Sequence, residues 1–177
     1  METKCPIYLD YNATTPLHPE VSKSISETLG TNYFDGIFGN ASSTHYYGVR
    51  SHTEIDKARN NISNLLGCSP SEIIFTSCGT ESNNMVIYGS CEKFSILYPA
   101  KQMEILTTAI DHPSIKEACQ FVSRQYKAKI IEIPVDRYGQ IDVNFILQNV
   151  NESTCLVTIM FANNEIGALL NVPEAFK

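Results

Sequence analysis

The chain has no tryptophan, no Cys-x-x-Cys pair and no long apolar run. Without about 18 consecutive apolar residues, no membrane-spanning helix is expected. The opening residues, Met1-Glu2-Thr3-Lys4-Cys5-Pro6, lack the apolar segment of a secretory signal. A cytoplasmic location is therefore expected. The sequons at Asn12, Asn40, Asn61 and Asn151 then carry no weight, because glycosylation follows secretion. Cys5, Cys68, Cys78, Cys91, Cys119 and Cys155 are scattered. They read as reduced thiols, not as a disulfide framework, and no metal site is expected. Neither GxxxxGK[ST] nor GxGxxG occurs, which excludes the usual P-loop and dinucleotide fingerprints. Basic residues are the minority, 13 Lys and Arg against 19 Asp and Glu, for a net charge of −6. That balance argues against nucleic acid as the main partner. There is no internal repeat, low-complexity tract or obvious linker.

What is present is an ordinary globular composition, 43% hydrophobic and 18% charged, in 177 residues. That length supports a real core. Residues 1–66 read as a loop followed by helices. Pro19–Leu29 has proline early and Gly30 as its stop, and Ser43–Leu66 has helical apolar spacing ended by Gly67. From residue 67 to 177 the pattern turns to strand–helix alternation. Strands are expected at Glu72–Thr76, Glu104–Thr108, Lys129–Pro134 and Cys155–Phe161. Helices are expected at Glu81–Tyr88, Ser114–Tyr126 and Val143–Val150, with another beginning near Pro173. Short apolar runs between turn signals fit buried parallel strands joined by helices, an α/β fold.

Four segments carry candidate chemistry. The run Phe75-Thr76-Ser77-Cys78-Gly79-Thr80-Glu81 passes from an apolar strand through small residues into a helix. Free N–H groups and the helix dipole there favour an anion such as a phosphate, with hydroxyls on Thr80 and Ser82. An ordinary turn with Thr80 as N-cap is the other reading. Asp111-His112-Pro113-Ser114 follows the next strand, at the carboxyl edge where ligands bind in open α/β sheets. His112 suits ring stacking or proton transfer, or simply helix entry. Phe161-Ala162-Asn163-Asn164-Glu165-Ile166-Gly167 brings two amides and a carboxylate to a third strand end, where a tight turn is the plain alternative. Tyr8–Pro16 is a polar loop with no periodicity.

Taken in order, YLDYNATTPLHPEV (Tyr8–Val21), FGNASSTHYYG (Phe38–Gly48), EIIFTSCGTESNN (Glu72–Asn84), DHPSI (Asp111–Ile115) and LVTIMFANNEIG (Leu156–Gly167) resemble one family. It is that of the cysteine desulfurases and selenocysteine lyases, pyridoxal-phosphate enzymes of the class V aminotransferase group. The resemblance implies a fold-type-I PLP-transferase-like α/β fold. Here that means an incomplete large domain (67–177) with a mostly parallel sheet and flanking helices. It implies a pyridoxal 5′-phosphate cofactor, a small amino-acid substrate and a homodimer in the complete enzyme, with no nucleic acid and no membrane. It further implies that Cys78, Gly79 and Thr80 hold the cofactor phosphate. His112 would stack on the ring and serve as the catalytic proton carrier. Asn164 would lie near the cofactor 3′-oxygen and the substrate carboxylate, and the loop of Asn12, Ala13 and Thr14 would close over the substrate. The family often has glycine where this chain has Cys78.

The resemblance also implies what to look for and not find. Family chemistry uses a Schiff-base lysine in a Ser-x-His-Lys context, an acid on the pyridinium nitrogen, a substrate-binding arginine and a loop cysteine. All of these lie beyond the Asn163–Gly167 turn. None of Lys4, Lys23, Lys57, Lys93, Lys101, Lys116, Lys127, Lys129 and Lys177 has that context. The chain is therefore expected to be the first part of a selenocysteine lyase or cysteine desulfurase, inactive as it stands. The alternative is a non-catalytic or dimer-poisoning binding fragment. Asp10–Leu17 and Thr154–Met160 resemble the selenocysteine lyases more closely, and Phe38-Gly39-Asn40 the desulfurases.

Overall fold

The structure, a computed structural model, describes residues 6–32 and 35–175. Cys5, Lys4 and Lys177 lie outside the described residues. The chain divides into two compact units between Phe75 and Thr76.

The first unit holds two helices. The first, α1, spans Pro19–Leu29 as expected, with His18 capping its start through the Glu20 N–H and Gly30 ending it at φ 73°. The second, α2, spans Tyr46–Leu66, starting later than the expected Ser43. His45 caps it by accepting from the Gly48 N–H, and Gly67 closes it in the left-handed region. The predicted strand Glu72–Thr76 is not one. Pro70–Glu72 forms a 3₁₀ turn in which the Glu72 carboxylate accepts from the Ser69 N–H at 2.7 Å. Ile73 is extended, but no described strand pairs with it or with the residues that follow. Ile74 and Phe75 stay exposed, with the Arg59 guanidinium 5.3 Å over the Phe75 ring.

The second unit carries the sheet. Its elements are α3 (Gly79–Leu97), β1 (Glu104–Thr108), α4 (Pro113–Tyr126), β2 (Lys129–Ile133), α5 (Val143–Asn149), β3 (Thr154–Val157) and α6 (Val172–Ala175). The strands are parallel in the order β2-β1-β3. The expected strands Glu104–Thr108 and Lys129–Pro134 thus appear nearly as read, whereas Cys155–Phe161 shrinks to β3. Beyond Val157 only the Thr158 N–H continues the ladder, onto the Leu106 carbonyl at 2.9 Å. Helix α3 runs nine residues past the expected end at Tyr88. Ile87, Cys91 and Phe94 all point inward, and their packing outweighs the cost of Gly89, about 1 kcal/mol.

Strand alternation splits the core into two layers. Ile105 packs with Ile87, Cys91, Phe94, Ala118, Cys119 and Val122 under α3 and α4. Leu106, its neighbour, packs with Ile133, Ile141, Ile146 and Leu170 on the opposite face. The β1–β3 register slips between Glu104 and Ile105, and both Cys155 and Leu156 then pack against the first layer. At the amino edge, Glu104 accepts from Lys129 at 3.0 Å and from Asn151 at 2.9 Å. These two bonds hold its carboxyl below the usual range, Asn151 contributing most. Among the described residues no helix is long and apolar enough to cross a membrane.

Candidate functional site

The turn into α3 is fastened from both sides. The Glu81 carboxylate accepts from the Ser77 hydroxyl and the Ser77 N–H, both at 2.6 Å, and these bonds pull its pKa down. Thr76 and Ser82 share a hydroxyl contact of 2.7 Å. The N-cap is Cys78, not Thr80, and its side chain makes no capping hydrogen bond. No side-chain hydrogen bond caps the first N–H groups of the helix, and those of Thr80 and Glu81 face only the Cys78 sulfur. A Cβ at Gly79 would meet nothing within 4 Å, so the turn is open on that side. The exposed Cys78 thiol is held below its ordinary pKa, first by the Glu81 N–H, then by the Ser77 hydroxyl and the Thr80 N–H. Backbone dipoles at this turn thus favour negative charge.

The entry to α4 depends on Asp111, which is 4% exposed. Its Oδ2 accepts from the Thr107 hydroxyl at 2.9 Å, the Thr108 hydroxyl at 3.0 Å and the Thr108 N–H at 3.2 Å. Its Oδ1 accepts from the Met160 N–H at 3.1 Å, across to the segment leaving β3. His112 then serves as N-cap, its Nδ1 accepting from the Ser114 N–H at 3.1 Å. The Ser114 hydroxyl also lies 2.8 Å from Nδ1 and itself accepts from the Asn83 amide of α3 at 2.8 Å. With Nδ1 an acceptor, the neutral ring carries its proton on Nε2. Helix entry, the plain reading of His112, is therefore real, and it also fixes the tautomer.

The third segment is built around Asn163 rather than Asn164. Asn163 is 7% exposed. It donates to the Ile110 carbonyl at 2.8 Å and accepts from the N–H groups of Glu165 at 2.8 Å and Ile166 at 3.0 Å. It folds the turn and ties it to the loop before His112. Asn164 is exposed on that turn.

Thr80 and His112 line one cleft of about 490 Å³ with Asn84, Tyr88 and Ser114. Cys78 and Gly79 immediately precede Thr80, and Asn164 does not line this cleft. Asn12, Ala13 and Thr14 belong to the first unit. There the Ala13 and Thr14 N–H groups donate to the Asp10 carbonyl and the Tyr8 hydroxyl donates to the Asp10 and Thr14 carbonyls. Sequence reasoning named the segments of Asp111, Ser114 and Asn163 as a helix entry and a turn, but not the bonds that these residues and Asn83 make. All four act through hydrogen bonds between segments, which periodicity does not reveal. The only hint was polarity, Thr107, Thr108 and Asp111 crowding the end of an apolar strand.

The family described as "Aminotransferase class-V" matches residues 7–177. Selenocysteine lyase of Bos taurus is 36% identical over 182 residues, covering 95% of this chain and 40% of that protein. Cysteine desulfurase IscS of Dictyoglomus turgidum is 39% identical over 171 residues, covering 97% of this chain and 41% of that one. A solved NIFS-like protein superposes with a TM-score of 0.82 at 33% identity, over 93% of this chain and 42% of its own. The chain spans about two fifths of the length of the curated relatives it matches. The residues fit the phosphate-bearing, flat-ringed cofactor that the family implies. The α3 turn is open at Gly79, uncapped and favourable to negative charge, and an imidazole stands on the same cleft.

The thiols provide a check on this electrostatic picture. Burial pushes Cys91 up to about 12 and Cys119 up to about 11, while Cys78 is lowered. A lowered pKa puts thiolate on Cys78 at a pH where the unfolded chain still holds thiols. Iodoacetamide near neutral pH is expected to label Cys78 well before Cys91 and Cys119, and faster than in the urea-unfolded chain. Peptide mass spectrometry over a time course measures this. Equal rates for Cys78 in the folded and unfolded chain would contradict it.

Proposed function

Since the chain belongs to the class-V aminotransferase family, we propose that it forms the cofactor-phosphate and ring-contacting part of a pyridoxal-phosphate enzyme. That enzyme removes selenium or sulfur from selenocysteine or cysteine, leaving alanine. Residues 67–177 make up the cofactor-binding part, and the complete enzyme is cytoplasmic and homodimeric. One observation carries the reading: two helix starts of the same unit bring Thr80 and His112 into one cleft.

When bound, pyridoxal 5′-phosphate supplies an electron sink for chemistry at the α- and β-carbons of an amino acid. This chain's residues bind and orient. The N–H groups at Gly79 and Thr80, with the Thr80 hydroxyl, would hold the phosphate, as helix N-termini do elsewhere. Glu81 and Ser77 keep that turn shut on itself, so the donors are set in place beforehand. His112 would lie against the ring. Ser114 occupies Nδ1, so Nε2 is the atom that gives or takes a proton. The Asn164 amide is suited to the substrate carboxylate, and the Asn12–Thr14 loop covers the substrate side. What the described residues do not bring is a lysine at the site. Among the described residues no lysine lines the cleft, and Lys101 and Lys129 are paired with Glu152 and Glu104 near the amino edge of the sheet. This favours the view that the chain alone binds without turning over.

Two outcomes follow. Thr80→Val is expected to weaken pyridoxal 5′-phosphate binding by about 1–3 kcal/mol, the range for a lost hydrogen bond to a charged group. Equilibrium titration reads this directly, and equal affinity in both proteins would place the phosphate elsewhere. Supplied with pyridoxal 5′-phosphate, the chain is expected to release no alanine from cysteine or selenocysteine beyond the rate of the free cofactor. Alanine release that disappears in a His112→Ala variant would overturn that expectation.

A further inference from the structure

His18, His45 and His112 each begin a helix by accepting at Nδ1, but only His112 has more than a backbone donor there. His18 accepts from the Glu20 N–H and His45 from the Gly48 N–H, each at 3.3 Å. His112 accepts from the Ser114 N–H at 3.1 Å and has the Ser114 hydroxyl 2.8 Å from the same nitrogen. That hydroxyl in turn lies 2.8 Å from the side-chain amide of Asn83 on α3.

Counting protons fixes the direction of these contacts. Nδ1 accepts from a backbone N–H, so it carries no proton of its own. The 2.8 Å contact then needs the hydroxyl proton, and Ser114 spends its one hydrogen on Nδ1. Toward Asn83 the Ser114 oxygen has only lone pairs left, so Asn83 presents its NH₂ group. Amide donates to hydroxyl and hydroxyl donates to imidazole, each bond polarising the next in the same sense. Asn83 and Ser114 are both half-buried, which limits competition from water. Among the described residues no hydrogen bond reaches Nε2, and His112 lines the cleft. A protonated ring would carry hydrogen on both nitrogens and lose both Ser114 donors.

We propose that Asn83 is a positioning residue for His112: acting through Ser114, it keeps the ring proton on Nε2, so that the imidazole meets the occupant of the cleft as a hydrogen-bond donor. The atom opposite Nε2 is then an acceptor, a lone pair on oxygen, sulfur or selenium. Asn83 stands three residues after Thr80, one turn further along α3. One helix therefore supplies the phosphate donors and sets the proton on the ring. The identity of the occupant rests on the reading above, whereas the place of the proton does not.

Ring nitrogen-15 spectra of the whole chain test this with no ligand present, at about pH 9, where imidazoles are neutral. The His112 signal is the one lost in His112→Gln. The parent is expected to hold His112 as the Nε2–H tautomer in about tenfold excess or more, and more completely than His18 or His45. His52, whose Nδ1 lies 3.0 Å from the Asp56 carboxylate, should carry its proton on Nδ1 and marks the other extreme. Ser114→Ala removes the hydroxyl but keeps the backbone donor, so the excess should fall about fivefold, the effect of one net hydrogen bond. Ser114→Thr keeps a hydroxyl and should match the parent. Asn83→Asp reads the direction of the relay. A carboxylate cannot donate, so the Ser114 proton turns to it and Oγ offers Nδ1 a lone pair. The excess should then fall further than in Ser114→Ala. Asn83→Asp with Ser114→Ala lacks the link and should differ little from Ser114→Ala alone. An Asn83→Asp spectrum like the parent's, or Nδ1–H in the parent, would overturn the proposal. If Asn83→Asp does not fold, the serine pair decides, and equal excess in Ser114→Ala and Ser114→Thr would overturn it. Because no arm contains pyridoxal 5′-phosphate, either result leaves the cofactor reading to its own titration.

Discussion

The carboxylate of Asp111 is the contact on which the candidate site depends. It is buried with no cation beside it, so its desolvation cost of several kcal/mol must be met by hydrogen bonds. Four donors meet it, from Thr107, Thr108 and Met160. Bonds to a charged acceptor contribute roughly 1.5–3 kcal/mol each, enough to offset that cost. Three of the donors belong to the end of β1 and the fourth to the segment leaving β3. One side chain therefore fixes the sheet edge, and the residue after it is His112. Asn163 repeats the logic in the opposite direction, reaching from the β3 exit back to the Ile110 carbonyl.

From that edge the rest of the geometry follows. β1 is pinned on both faces, Ile105 in one layer and Leu106 in the other, so its carboxyl end has little room to shift. The α4 start is held to α3 through Ser114 and Asn83, which sets the imidazole near the turn that precedes Thr80. The α3 turn is held in its own right by Glu81 and Ser77. Donors, ring and open glycine are thus arranged by packed and hydrogen-bonded backbone, as preorganised binding requires.

Much of this was legible in the residues. Periodicity and stop signals placed α1, β1, α4 and β2 to within a residue, because apolar spacing, proline and glycine act locally. The family was legible because five motifs keep their order along the chain, and the class-V aminotransferase match covers residues 7–177. What periodicity misjudged was decided by neighbours. Ile73–Phe75 has strand composition but no pairing partner, and the Ser69–Glu72 capping box takes its first residue. The helix expected over Glu81–Tyr88 runs on, because the inward packing of Cys91 and Phe94 carries α3 through Gly89. Cys78, not Thr80, caps α3, because the chain turns two residues earlier than hydroxyl preference suggests. A helix entry at Asp111 and a turn at Asn163 were legible, but not the ties between segments, since a buried polar side chain shows its purpose only through the segments it joins.

The central claim is that the donors at the start of α3 and the imidazole at the start of α4 receive one phosphate-bearing, flat-ringed ligand. Amide-resolved nuclear magnetic resonance tests it most directly, with the chain titrated by pyridoxal 5′-phosphate and, in parallel, by pyridoxal. The account predicts saturable shifts at the amides of Gly79, Thr80 and Glu81 and at the His112 ring with the phosphorylated ligand. With pyridoxal, the amide shifts should be largely lost. Equal responses to both ligands, or shifts that leave Gly79 and Thr80 untouched, would contradict it.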